Sequence, residues 1–153
     1  MTLLNLFFLI LLSAVCLYTD LKKRWIPNIV TIPVFLVGLC VSSYRMYQTE
    51  GINGVILVLA NLIVAFAICE FLLVRKGFWA YGDVKLFMAS VVWFPPFVGL
   101  LASMGLYIAF HFGYIVTYRL LKRWNIILPS QFPGSVLIVL VVMVNIWSFW
   151  GNI

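Results

Sequence analysis

Five stretches of this chain run for about the thickness of a bilayer with almost no charge in them: residues 2–19, 28–44, 54–74, 97–118 and 132–150. A helix needs roughly 17 to 25 mostly apolar residues to cross the hydrocarbon core, where each backbone N–H and C=O must be satisfied within the segment itself. A sixth apolar stretch, 84–94, is shorter and runs into Pro95 and Pro96, which cannot sit inside an unbroken helix. With 65% of 153 residues hydrophobic and 9% charged, the chain lacks the polar surface that a soluble domain of this size needs. The expected fold is therefore all-α and integral to the membrane, a single transmembrane domain over 1–153 with no internal repeat or flexible linker. The first apolar run carries its lysines after it rather than before it, which reads as a retained helix and not as a removed signal peptide.

Charge decides how many times the chain crosses. Lys22, Lys23 and Arg24 follow the first run, Arg75, Lys76 and Lys85 surround the start of the short one, and Arg119, Lys122 and Arg123 follow the fifth span. Six spans put nine of the ten basic residues in alternate loops and leave Arg45 on the other side. The positive-inside rule then places those loops in the cytoplasm and both termini outside. Trp25, Trp79 and Trp124 fall beside the cytoplasmic loops and Trp93, Trp147 and Trp150 near the outer ends, as an aromatic belt requires. The net charge of +6, gathered on one face, suits contact with anionic lipid headgroups and implies no nucleic-acid partner.

The four acidic residues are Asp20, Glu50, Glu70 and Asp83. Glu50 sits in the outer segment "YQTEGING", where it is solvated. The other three belong to the cytoplasmic side, and ionisable groups at membrane depth are costly enough to suggest function. Asp20 ends the first helix and Asp83, in "FWAYGDVKLFMA", begins the fourth, so both lie at one membrane level. Two close carboxylates do not both ionise easily; one keeps a proton while the other acts as a base, an arrangement that activates water against a peptide carbonyl. The alternative is that each aspartate is a helix-end residue paired with Lys22, Lys23 or Lys85. Glu70 suits pairing with Arg75 or Lys85, or contact with a basic substrate segment.

Other catalytic sets fail. Ser103 and His111 are eight residues apart on one helix, about 12 Å by helical rise, too far for a nucleophile and its base. There is no G-x-S-x-G and no H-E-x-x-H, and Cys16, Cys40 and Cys69 stand alone in apolar spans without a C-x-x-C pair. No metal and no cofactor are expected.

The two aspartate neighbourhoods also match a known pattern. "DLKKRWIPNIVT", from Asp20 to Thr31, resembles the first-aspartate motif of type IV prepilin peptidases, in which an Asp precedes an R-x-I-P-N segment. "AYGDVKL", from Ala80 to Leu86, resembles their G-x-G-D-x-K-L motif. The resemblance covers essentially the whole chain. It implies a membrane aspartic endopeptidase of the bacterial cytoplasmic (inner) membrane, with Asp20 and Asp83 as the catalytic pair facing the cytoplasm. Its substrate class is a prepilin or pseudopilin, cut after the glycine that ends a short basic leader. Arg24, Pro27, Asn28, Gly82, Lys85 and Glu70 are the implied supporting or substrate-binding residues.

Physical roles suit several of them. Gly82 allows close approach to Asp83, Pro27 fits the first turn of the second helix, and Asn28 can bond exposed backbone groups there. Lys85 can balance dyad charge or meet an acidic residue of the substrate. Two departures stand out: Ala80 replaces the first glycine of the motif, and "LPSQFPGS", 128–135, is only loosely similar to the family's "PFGP"-like segment. Without the cytoplasmic insert and paired cysteines of bifunctional members, the chain resembles the short branch of Tad/Flp-type pilus systems, a peptidase with no N-methyltransferase activity.

Helix direction makes one more expectation. A helix N-terminus favours an anion at Asp83 and a C-terminus disfavours one at Asp20, so the shared proton is expected on Asp20. Two other readings compete: a small ion- or proton-coupled membrane carrier, and a catalytically inactive pilus assembly factor. Mutation of either aspartate separates them, since a peptidase loses cleavage, a carrier loses flux and a scaffold loses neither.

Overall fold

A computed structural model describes residues 3–23, 25–75, 80–123 and 134–150. These residues form six helices and contain no strand: α1 (Leu3–Lys23), α2 (Asn28–Glu50), α3 (Ile52–Ile68), α4 (Tyr81–Val91), α5 (Val98–Arg123) and α6 (Gly134–Trp150). A π-helical turn, Cys69–Val74, prolongs α3. Four segments are long and apolar enough to cross a membrane: Asn5–Lys23, Asn28–Glu50, Ile52–Phe71 and Val98–Leu120. The apolar helix Ser135–Ser148 is shorter. The eleven residues of α4 span about 16 Å, well under a hydrocarbon thickness of about 30 Å. Six helices are thus present, and four of them have membrane length.

Two prolines cut α4 short. Pro95 and Pro96 cannot continue the helix, and α5 begins only at Val98. Between them Phe97 takes the left-handed conformation, φ 57°, unusual for a residue with a Cβ. Its N–H donates to Oδ1 of Asn61 at 2.7 Å. Asn61 is buried among apolar residues in the middle of α3, and this bond provides the partner that a buried amide needs. The turn is therefore held from the neighbouring helix as well as by its own prolines.

α4 packs against α2, α3, α5 and α6, while α1 lies against α2 and α6. Val84, Leu86, Phe87, Ala89, Ser90 and Val91 of α4 are buried. Trp93, expected at the outer interface, is only 3% exposed and stacks on Phe8 of α1, ring centroids 5.5 Å apart. A helix that ends inside the bundle cannot carry the next residues out to the headgroups. Trp25 and Trp147 are exposed, whereas the rings of Trp79, Trp124 and Trp150 lie outside the described residues.

Large apolar side chains such as Ile29, Ile63, Leu101 and Phe112 face outward while Asn5, Ser13, Ser103 and Asn145 are inside. That inversion is what lipid as a solvent demands, and polar groups inside then join helices. Asn145 Nδ2 donates to Ser103 Oγ at 2.8 Å, tying α6 to α5, and His111 stacks on Tyr107 one turn before it. At the end away from α4's start, Gly51 alone links α2 to α3 with φ +63°, its N–H donating to the Tyr47 carbonyl at 2.9 Å.

Gly38 of α2 sits where the chain after α4 passes closest. A Cβ there would lie 2.6 Å from Val92 Cγ1 and 2.7 Å from the Trp93 ring. Gly38→Ala is expected to lower the unfolding temperature in detergent, a cost of about 1–3 kcal/mol. Gly105→Ala, where a Cβ meets nothing within 4 Å, is expected to leave it unchanged or slightly raise it. Thermal melts of both variants followed by circular dichroism check the pair.

Candidate active site

One end of the bundle gathers the last turn of α1, the first turns of α2, α4 and α6, and the π-helical turn. Side-chain hydrogen bonds there join segments far apart in the chain. Asp20, in the last turn of α1, is 8% exposed, and Ser135 of α6 donates its hydroxyl to Asp20 Oδ2 at 2.5 Å. Asp83 is the third residue of α4. The Ala80 N–H donates to its Oδ2 at 3.1 Å, an acidic side chain closing the free amide of a helix start.

The segment joining α1 to α2 lies against this turn. Ile26 is buried, and its side chain would be 3.5 Å from a Cβ placed on Gly82. That is ordinary van der Waals contact, so nothing in the fold requires glycine there. Ala80 has φ −88° and ψ 161°, extended backbone open to any residue; the methyl group that departs from the family motif costs the turn nothing. Pro27 sits one position earlier than expected, as the residue before α2. Its carbonyl accepts the N–H of Val30 at 3.2 Å and of Thr31 at 3.1 Å, and the Thr31 hydroxyl at 3.1 Å.

Asn28 does not cap the backbone as expected. Its Oδ1 accepts from Lys85 Nζ at 3.0 Å, joining the start of α2 to α4. With Thr31 already bonding the Pro27 carbonyl, Asn28 is left to reach across to α4. Glu70 accepts from the Tyr81 hydroxyl at 3.5 Å and pairs with Arg75 Nε at 3.8 Å; of the two cations named for it, Lys85 is occupied elsewhere. Lys22 turns to its own helix, donating to the Tyr18 hydroxyl at 3.1 Å. Among the described residues neither aspartate is in a salt bridge. Arg24 lies outside the described residues.

The two carboxyls share one electrostatic environment although sixty-three residues separate them. Burial pushes the Asp83 carboxyl up to about 6; the Ala80 N–H works against this, and the charge of Asp20 adds to it. At Asp83 this runs against the expectation from helix direction. Loss of solvation outweighs the helix N-terminus at Asp83.

An apolar groove of about 220 Å³ opens beside this end. Thr31, Ile32 and Phe35 of α2 and Phe66 of α3 form one side, with Val84, Lys85 and Met88 of α4 opposite. It begins at the residue after Asp83. Among the described residues no group of three or more His, Cys, Asp or Glu could hold a metal ion.

Ser135 is a site contact that neither aspartate motif contains, although it ends the "LPSQFPGS" segment noted above. Its signal is faint: a lone hydroxyl after Pro133 and Gly134 at the start of the last apolar run, on the membrane face expected to carry the two aspartates.

Comparison with known proteins agrees in kind. Residues 6–143 match the family model described as the type IV leader peptidase family. Among curated proteins, prepilin peptidase EppA of Methanocaldococcus jannaschii is 32% identical over 154 residues, covering 93% of this chain and 40% of that protein. Prepilin peptidase EppA of Methanococcus maripaludis is 31% identical over 152 residues, covering 95% and 40%. The protein of the same name from Methanothermobacter thermautotrophicus is 33% identical over 96 residues, 61% of this chain and 25% of its own length. The chain thus spans about two fifths of the length of the first two relatives. No solved structure matches.

The raised Asp83 carboxyl has a consequence for stability. The folded chain holds this proton more tightly than the unfolded chain, so ionisation costs stability as pH rises from the ordinary carboxylate range through about 6. Asp83→Asn keeps the shape and never ionises. It is expected to melt above the parent at pH 8, with the gap closing as pH falls through 6 towards 4; melting curves across that range are the check.

Proposed function

The chain belongs to the type IV leader peptidase family, and from that premise we propose that it is a membrane aspartic endopeptidase. It removes the short basic leader of a prepilin or pseudopilin with Asp20, Asp83 and one water, as a peptidase without N-methyl transfer. The observation that carries this reading is the pair itself: two carboxylates from distant segments, within electrostatic reach of each other and, among the described residues, outside any salt bridge. A pair neutralised by lysines would be structural. Among the described residues, no lysine or arginine neutralises this one.

The raised carboxyl of Asp83 suits it to carry the proton of the pair. Asp20, as carboxylate, takes a proton from water while the water oxygen attacks the scissile carbonyl carbon. Asp83 gives its proton to the carbonyl oxygen, so the tetrahedral intermediate forms without a free charge. On collapse the proton held by Asp20 passes to the leaving nitrogen, the C–N bond breaks, and Asp83 recovers its proton from the hydroxyl that becomes the carbonyl. The pair ends as it began.

The cytoplasm-facing orientation rests on the positions of the cations. Lys22 and Lys23 end α1, Arg75 follows the π-helical turn, Lys85 lies in the first half of α4 and Arg119 near the end of α5, all on the aspartate side of the bundle. The positive-inside rule turns that side to the cytoplasm, in contact with anionic headgroups. The polypeptide on one side of the cut would lie in the apolar groove, with Lys85 at its head.

Membranes carrying the protein, incubated with a Flp-type prepilin, are expected to shorten it by its leader on a gel. Asp20→Asn and Asp83→Asn should each lower the rate on the order of a thousandfold or more while remaining folded. Gly82→Ala, which the fold accommodates, should cost activity only through substrate approach, seen as a raised KM. Cleavage that survives loss of either aspartate would sink the dyad.

A further inference from the structure

The Asp20 side chain is 8% exposed, and a polar group held away from water needs hydrogen-bond partners. Among the described residues its one hydrogen bond is from Ser135, itself 0% exposed, at 2.5 Å. That is the short range of O–H donors to carboxylates, where the bond fixes direction as well as energy. A serine hydroxyl has one hydrogen to give, and here it is given to Asp20 rather than to a backbone carbonyl of its own helix.

The bond runs between two helices that pack along each other, so both partners are held by rigid elements rather than loops. Ser135 is the second residue of α6, and Asp20 lies in the last turn of α1. The two aspartates are anchored in parallel fashion: Oδ2 of Asp20 by the Ser135 hydroxyl, Oδ2 of Asp83 by the Ala80 N–H. In each, Oδ1 has no bond among the described residues. Each carboxyl therefore keeps one oxygen for orientation and one for chemistry.

We infer that Ser135 is a positioning residue: its hydroxyl holds Asp20 in the rotamer that presents Oδ1 to the attacking water. This rests on the peptidase reading above. It acts through Asp20 and touches neither substrate nor water. Among the described residues, Asp83 from α4 and Cys16 one turn back on α1 couple electrostatically to Asp20, and Lys22 and Lys23 follow it on α1. α6 offers no charged or titratable group over its described length, so the serine hydroxyl is what α6 contributes to the carboxylate.

The test combines kinetics with a spectroscopic readout. Ser135→Ala is expected to lower kcat about ten- to a hundredfold with KM unchanged, the signature of a misplaced group rather than a damaged binding surface. Ser135→Thr, which restores a hydroxyl, is expected to recover most of it. The chain has two aspartates, so in an Asp83→Asn background 13C-aspartate labelling reports Asp20 alone. Its antisymmetric carboxylate stretch in the infrared should shift when Ser135→Ala is added and return with Ser135→Thr.

A band that stays in place, or a kcat equal to the parent's in Ser135→Ala, overturns the assignment. A parent that cleaves no prepilin overturns the peptidase reading and with it the catalytic role, while the infrared band still decides whether Ser135 orients Asp20.

Discussion

Everything at the aspartate end depends on where α4 stops. A helix of ordinary membrane length would carry its first residues out to the headgroups on one side and its last to the other. Pro95 and Pro96 deny it that length, and Asn61 secures the turn by taking the Phe97 N–H. α4 then sits among α2, α3, α5 and α6 with most of its surface covered. Its start, and Asp83 with it, is drawn in among the ends of its neighbours, which is what half-buries the carboxyl and exposes it to the charge of Asp20. The outer turn and the inner site are two ends of one constraint.

That arrangement sets folding against reactivity. A carboxyl kept short of water is a poor choice for stability, and the surroundings compensate only in part, with one backbone N–H at Asp83 and one hydroxyl at Asp20. Among the described residues no cation forms a salt bridge with the pair: Lys22 bonds Tyr18, Lys85 bonds Asn28 and Arg75 pairs with Glu70. Local destabilisation of this kind is where proton-transfer chemistry is commonly built. The aliphatic core of α4 and the inter-helix bonds elsewhere must carry the stability that this end gives up.

Hydropathy made the helices legible, because lipid imposes a length and a composition that few other environments share. The Pro95–Pro96 break was readable for the same reason that it works, since proline has no N–H to give. Motif neighbourhoods identified Asp20 and Asp83 as a pair to compare. What was hidden depended on distances between helices. Trp93 looks like an interfacial tryptophan until α4 is seen to end inside the bundle. The Asp83 carboxyl is pushed up to about 6 because burial, which no single segment reveals, exceeds the effect of the helix start and its Ala80 N–H. Ser135 is 115 residues from its partner, and one serine after a Pro-Gly carries no pattern. Asn28 shows a milder failure, being at the right end of the right helix but bonded to a side chain of another.

The groove between α2, α3 and α4 has a mouth flanked by Ile32 and Phe66, both about half exposed, on helices of membrane length. An occupant that enters past these two side chains arrives sideways, out of the lipid, and not down from the water. A small molecule intended to occupy it would first dissolve in the bilayer, and its concentration there, set by its oil–water partition coefficient, would govern occupancy. Potency measured in detergent micelles and in native membranes would then diverge by that coefficient, with the most lipophilic compounds gaining most from an intact membrane.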